Sequence, residues 1–190
     1  SFNQVIWMEE FIRGKVLFDS REPDAPSYVD RRLGGDKPET REEWIARVRT
    51  ALRKYVKLSF DAWNLEGRRH TVMDAGIWNV LVDEETGELR FIAAGLVGAD
   101  KEDFQFVNDP ALFWTDLRDY ISAIEEKHTD LKGEIRPEDA LGGVLDALGE
   151  KEGAALLAQI QKDLLRRKKD EEATKKIVAE LAGVRSARRR

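Results

Sequence analysis

The sequence predicts an α+β domain that is mostly α. Three observations carry this. Residues 40–63 open with a capping-box pattern, Thr40-Arg-Glu-Glu43, and then repeat apolar residues at three- and four-residue steps. Residues 77–94 place two short runs rich in β-branched and apolar residues on either side of a Glu-Glu-Thr-Gly-Glu turn, the pattern of a β-hairpin. The helical pattern then resumes and fills the C-terminal half. At 190 residues the chain is long enough for one domain with a real core and short for two, so residues 1–190 are read as a single domain.

The elements follow in order. Residues 4–11 are apolar and β-branched and read as a strand that ends near Gly14. Residues 18–39 mix Pro23, Pro26, Pro38, Gly34 and Gly35 with many charges, a loop composition with room for one short turn at 28–33. The long helix comes next. Trp44, Val48, Leu52, Tyr55 or Val56, Ser59 and Trp63 form its apolar face, and Ile45, Leu58 and Phe60 widen it. Gly67 marks its end. The hairpin occupies 77–94. Asp109-Pro110 supplies an N-cap and a proline at the first helical position, and Leu112, Phe113, Leu117, Tyr120, Ile121 and Ile124 line one face of the helix they start. Arg136-Pro137-Glu-Asp139 starts another, with Leu141, Val144, Leu145 and Leu148, weakened at Gly142-Gly143 and closed by Gly149. Ala154–Leu165 and Ala173–Leu181 are a helix pair or one helix interrupted near 166–172. Residues 136–190 thus form a helical extension with a basic tail.

Composition narrows the chemistry. The chain has no cysteine, which removes disulfides, thiolate metal sites and a cysteine nucleophile. Two histidines, His70 and His128, are too few for a histidine-rich metal centre. The net charge of −5 argues against a nucleic-acid-binding surface over the whole protein, although the residues after Lys162 are rich in lysine and arginine. No apolar run reaches the roughly 20 residues a membrane helix needs. The N-terminus lacks a basic, then apolar, leader pattern. The expectation from these features is a cytoplasmic protein with no membrane partner.

The functional signal lies in residues 70–95. Asp74 is followed five residues later by Asn79, then by the apolar run Val80-Leu81-Val82; across the turn, Leu89-Arg-Phe-Ile leads into Ala93-Ala94-Gly95. Read from residue type alone, Asp74 and Asn79 are either turn formers ahead of a strand or the two polar members of a site. Trp63, Trp78 and Trp114 read as core aromatics. His128 reads as a cation favoured at a helix end, and Asp83, Glu84 and Glu85 as solvated turn residues.

This stretch resembles the catalytic loop, following strand and metal loop of the protein-kinase-like fold, in the form found in small atypical kinases and aminoglycoside-phosphotransferase-like enzymes. The resemblance covers residues 4–130 and is strongest at 74–96. It implies a C-terminal kinase lobe over 1–135, with Asp74 as the catalytic base that accepts the substrate hydroxyl proton and Asn79 as a metal ligand. It also implies that Val5–Gly14 is the hinge strand, with Glu9, Glu10 and Phe11 contacting the nucleotide, and that the long helix is the central helix of the lobe. ATP and Mg²⁺ are the implied cofactors. The departures bear on activity. Ala93 and Ala94 stand where the family has the aspartate and phenylalanine of its metal loop, and Val72-Met73 precede Asp74 in place of the usual histidine-containing pair. No glycine-rich loop or phosphate-binding lysine precedes the hinge-like strand. An alanine methyl cannot ligate Mg²⁺, and such electrostatic stabilisation is often the largest catalytic contribution, with one lost donor costing on the order of 3 kcal/mol. The implied function is a degenerate or incomplete phosphotransferase lobe, inactive as given, that acts as a pseudokinase-type binding protein with weak or absent ATP and Mg²⁺ binding.

A second reading is a non-enzymatic helical interaction module. It would hold a protein partner on its helices, or RNA through the basic C-terminal segment that ends in Arg188-Arg189-Arg190. That tail is loosely similar to the arginine-rich end of the kinase of the KEOPS tRNA-modification complex.

Overall fold

In the computed structural model, Thr40 and Glu43 close the expected capping box. The Glu43 N–H donates to Thr40 Oγ1 at 3.2 Å and the Thr40 N–H donates to Glu43 Oε2 at 2.8 Å. Two orphan amides are thereby satisfied, and helix α1 (Arg41–Leu65) follows. The structure describes residues 14–22, 24–34, 37–65, 76–92 and 110–187. The hinge-like strand at 4–11 and Gly67 lie outside these.

The apolar periodicity of α1 becomes its buried face. Trp44, Val48, Leu52, Tyr55, Val56, Ser59 and Phe60 are all buried, and Trp63 and Leu58 pack against them. A face this broad needs neighbours on more than one side, and α1 has them. The sheet lies against it, helix α2 (Pro110–Lys127) meets it through aromatic side chains, and the short helices α3 (Pro137–Ala140) and α4 (Gly142–Leu148) cover a further side. Helix α2 begins at Pro110, as its sequence predicts, and buries Phe113, Leu117, Ile121 and Ile124. Tyr55 and Phe60 of α1 both meet Phe113, with ring centroids 5.9 and 5.3 Å apart.

The sheet has three short antiparallel strands in the order β1-β2-β3: β1 (Lys15–Val16), β2 (Val80–Val82) and β3 (Leu89–Phe91). The hairpin expected at 77–94 is β2 and β3, with Val80 opposite Phe91 and Val82 opposite Leu89. Its first three residues differ from expectation. Ile77–Asn79 wind as a 3-10 turn, so the strand begins at Val80. Asp83 explains the tight connection: its carboxylate accepts from the N–H groups of Glu85 and Thr86 at 2.9 and 2.8 Å, an Asx-type turn. β1 was not foreseen, because two residues carry no periodic signal. It pairs with β2, Lys15 opposite Val82 and Val16 opposite Leu81. On its other side the loop 24–30 closes it, with the N–H groups of Tyr28 and Val29 donating to the carbonyls of Val16 and Leu17 at 2.8 and 3.3 Å.

The C-terminal half departs from the sequence expectation in two places. The segment starting at Pro137 is two helices that break at Leu141, and the Gly142-Gly143 pair is a close-packing site as well as a weak helix former. A Cβ on Gly143 would fall 2.7 Å from the Lys57 nitrogen and 2.8 Å from Val56 Cβ, and nearer still to the Arg53 carbonyl. Only a residue without a side chain lets α4 lie this close to α1. The two segments expected at 154–165 and 173–181 form one continuous helix, α5 (Glu150–Ala187), because nothing in 166–172 is a helix breaker. Gly149 separates α4 from α5 as expected. The coarse class, α+β and mostly helical, therefore holds.

Candidate functional site

Among the predicted site residues, Asn79 is the one that falls in the described part of the chain. Asp74, Glu9, Glu10, Phe11 and the Ala93-Ala94-Gly95 corner lie outside it, so the hinge and the catalytic aspartate are not placed. Asn79 closes the 3-10 turn. Its N–H donates to the Gly76 carbonyl at 2.9 Å, and its own carbonyl accepts from Ile92 at 2.9 Å. Ile92 is the residue immediately before Ala93. The backbone thus brings Asn79 beside Ile92 at the end of the hairpin.

The turn that presents Asn79 has a specific physical basis. The Trp78 indole lies so close over Gly76 that a Cβ there would overlap the ring, so residue 76 must be glycine for this turn to close. Tyr120 of α2 meets the same indole edge-on with centroids 5.7 Å apart, and the Arg21 guanidinium sits over it at 4.8 Å. Trp78 is held from two sides, and it holds the turn. Trp63 and Trp114 pack against the core in the same way, as their sequence positions suggest.

The metal expectation rests on few donors. Asn79 offers one amide oxygen, and the sequence places a methyl at Ala93 where a carboxylate would be needed. Among the described residues no group of three histidine, aspartate or glutamate side chains is arranged to hold an ion.

Two other clusters were not read from the sequence. The first joins the 19–39 loop to the end of α2. Asp30 Oδ1 lies 2.8 Å from His128 Nε2 and 3.1 Å from Lys127 Nζ, while Asp30 Oδ2 accepts from the Ser27 N–H at 2.6 Å. Burial disfavours the charge on Asp30, but the Ser27 amide, the Lys127 ammonium and the nearby imidazole outweigh it and hold the carboxyl below its ordinary range. His128 is pushed the other way. Burial lowers it below the usual histidine value, and the Asp30 charge only partly restores it. Trp44 packs edge-on against the same ring at 5.4 Å and donates its indole N–H to the Val29 carbonyl at 2.7 Å. His128 is therefore part of a half-buried clasp at the helix end, where burial works against the cation the sequence suggests. Asp30 and Lys127 are 97 residues apart in sequence, and no local pattern links them.

The second cluster is Arg47 with Glu39, both largely buried. The guanidinium reaches both oxygens of Glu39, at 2.7 and 2.9 Å, and also the carbonyls of Tyr28 and Asp30. Next to it a cleft of about 220 Å³ opens between α1 and the hairpin turn, lined by Tyr28, Thr50, Lys54 and Gly87 among others. It is small for a cofactor, and Asn79 is not part of its lining. Asp116 on α2 is half-buried and its carboxyl is raised, by burial first and then by Asp119.

No protein-family model, curated protein or solved structure matches this chain. The functional reading therefore rests on residues and geometry. Among the described residues, no helix is long and apolar enough to cross a membrane.

Proposed function

We propose that the chain is a kinase-like phosphotransferase lobe in degenerate form, acting as a binding protein rather than as a catalyst. One observation carries the proposal. A tight turn ending in Asn79 runs directly into a β-hairpin, and the returning strand ends hydrogen-bonded to Asn79 just ahead of the alanine-alanine-glycine corner. The long helix α1 contacts β3 of this hairpin, and the reading takes α1 as the central helix of the lobe. In this reading Asp74 is the remnant of the base, Asn79 the remnant of a metal ligand, and Ala93 the lost second ligand. Glu9, Glu10 and Phe11 would supply whatever nucleotide contact survives.

The test is a thermal-shift titration with ATP, with and without Mg²⁺. A ligand that binds only the folded state, at 100 times its dissociation constant, adds about 2.7 kcal/mol to apparent stability. A rise that does not depend on Mg²⁺ is the expected result, since the metal loop lacks its carboxylate. No shift at millimolar ATP removes the nucleotide part of the reading. A rise that needs Mg²⁺ and comes with phosphate transfer overturns the degenerate part.

A second reading, a non-enzymatic interaction module, is favoured by the length of α5 and its basic Arg166-Arg167-Lys168-Lys169 run. Polyanion binding through these residues must weaken steeply with salt, whereas a packed protein interface does not.

A further inference from the structure

Ala46, Thr50 and Lys54 recur every four residues along α1 and form an exposed strip beside the hairpin turn. They line the cleft of about 220 Å³ together with Tyr28, Arg47 and Gly87. Its inner parts are fixed. Tyr28 is 8% exposed, and the Arg47 guanidinium sits over its ring at 4.8 Å. Gly87 has a φ of +66°, a left-handed conformation that favours glycine, and so it puts no side chain into the space. The Lys54 ammonium and the Tyr28 hydroxyl both lie within 4 Å of the point that a Gly87 Cβ would occupy. Two donors therefore converge on one small space whose α1 rim is open to solvent.

The charges around this space say what fits it. Arg47 is already matched: its guanidinium donates to both oxygens of Glu39 and to the carbonyls of Tyr28 and Asp30. The Thr50 hydroxyl donates to the Ala46 carbonyl at 2.8 Å, which leaves only its lone pairs for a ligand. The acids of the turn are engaged elsewhere, Asp83 with the amides of Glu85 and Thr86 and Glu84 with Lys15. Lys54 differs. Its ammonium donates to the Gly87 carbonyl at 2.6 Å, which uses one of its three N–H bonds, and among the described residues no carboxylate pairs with it. The cleft thus carries one unmatched positive charge among apolar walls supplied by Ala46, Ala51 and the Tyr28 ring. One such charge suits one carboxylate; a second would find lone pairs and no donor of its own.

We propose that this cleft binds a small monocarboxylate with a compact apolar body, its carboxylate held between the Lys54 ammonium and the Tyr28 hydroxyl. Asn79 takes no part, so the inference does not depend on the kinase-like reading. A ligand of about ten heavy atoms in so open a site should bind with a dissociation constant on the order of a millimolar.

An amide chemical-shift titration of the full chain at constant ionic strength, with benzoate as the probe, tests it. Benzoate should give saturable shifts centred on Thr50, Lys54 and Gly87. Benzamide, which keeps the shape and loses the charge, should bind about tenfold more weakly, as should inorganic phosphate, which lacks the apolar body, and terephthalate, which adds a second carboxylate. Lys54→Met keeps the stem and removes the charge at an exposed position, so it should leave the rest of the amide spectrum in place while weakening benzoate about tenfold or more. Tyr28→Phe removes one donor and should weaken it about threefold. No saturable shift at tens of millimolar benzoate, shifts centred elsewhere, benzamide, phosphate or terephthalate binding as well as benzoate, or a Lys54→Met titration that matches wild type would overturn the proposal.

Discussion

The contact between α1 and α4 is a close-packed one, and Gly143→Ala measures it. Two effects oppose each other. Alanine is the better helix former by about 1 kcal/mol, which on its own would stabilise α4. Against this, the new methyl would sit 2.7 Å from the Lys57 nitrogen and 2.8 Å from Val56 Cβ, with the Arg53 carbonyl closer still. These are backbone atoms and a β-branched Cβ in the middle of a 25-residue helix, and they cannot swing aside. Helix α4 must back away from α1 by roughly 1 Å to regain ordinary contact, which loosens buried Val144 with it. Overpacking of this kind costs about 1–3 kcal/mol, and the site belongs at the upper end, so the net loss should be about 2 kcal/mol. Gly142→Ala is the internal control. Its methyl would meet the Arg53 guanidinium, the flexible end of a side chain paired to Asp146 at the surface. The Arg53 side chain can move, the pair contributes little, and the change should fall within about 1 kcal/mol of wild type. Urea denaturation of the three proteins gives the comparison. If Gly143→Ala is as stable as Gly142→Ala, α4 does not press on α1 as described, and the packing argument fails.

Further expectations concern the loop and the cap. Trp44→Phe removes the donor to the buried Val29 carbonyl and leaves a gap, and should cost about 2–3 kcal/mol in the same denaturation assay; a loss under about 0.5 kcal/mol would mean the indole hydrogen bond does little. Thr40→Ala removes the oxygen that accepts the Glu43 amide and should lower stability by about 1 kcal/mol, with Thr40→Ser close to wild type. Acid should loosen the Asp30 clasp in two steps. The histidine is depressed in the fold, so its contribution is complete above the unfolded value of about 6.5 and is lost as pH falls through the lower folded value. The Asp30 carboxyl is also depressed, so its contribution is present above the ordinary carboxylate value and is lost at still lower pH. Stability measured against pH should therefore begin to fall below about 6.5, and His128→Asn should remove that first step while leaving the second. An unchanged profile in His128→Asn would show that the first step comes from elsewhere.

The parts of the fold that were legible in the sequence are those written in local periodicity. The Thr40–Glu43 cap, the apolar face from Trp44 to Trp63, Pro110 as the first residue of α2, and the turn between Val82 and Leu89 all depend on residues a few positions apart. What was missed depends on residues far apart or on too few of them. β1 is two residues long and exists because β2 offers it a partner. Asp30 sits in a loop and His128 just past the end of α2, and they meet only in the folded chain. Gly142-Gly143 looked like a flaw in a helix, and the flaw is real, but the same absence of side chains is what lets α1 and α4 approach. Helix α5 runs unbroken through 166–172, which is entirely charged; charge alone does not break a helix that has neither proline nor glycine there. Of the candidate site, the turn at Asn79 and its link to Ile92 followed from the hairpin, while the chemistry expected of Asp74 and Ala93 remains a matter for the nucleotide titration.

The loop residues Tyr28 and Val29 spend their amides on β1, and this has a consequence for how the protein behaves in a crowded solution. A sheet of three short strands with an open flank would be a template on which a neighbouring chain could add a strand. Here that flank is occupied by a loop that takes up the carbonyls of Val16 and Leu17. Pulling the loop away would turn a closed margin into a sticky one, so the side chains that fasten it, Asp30, Arg47 and Trp44, also guard solubility.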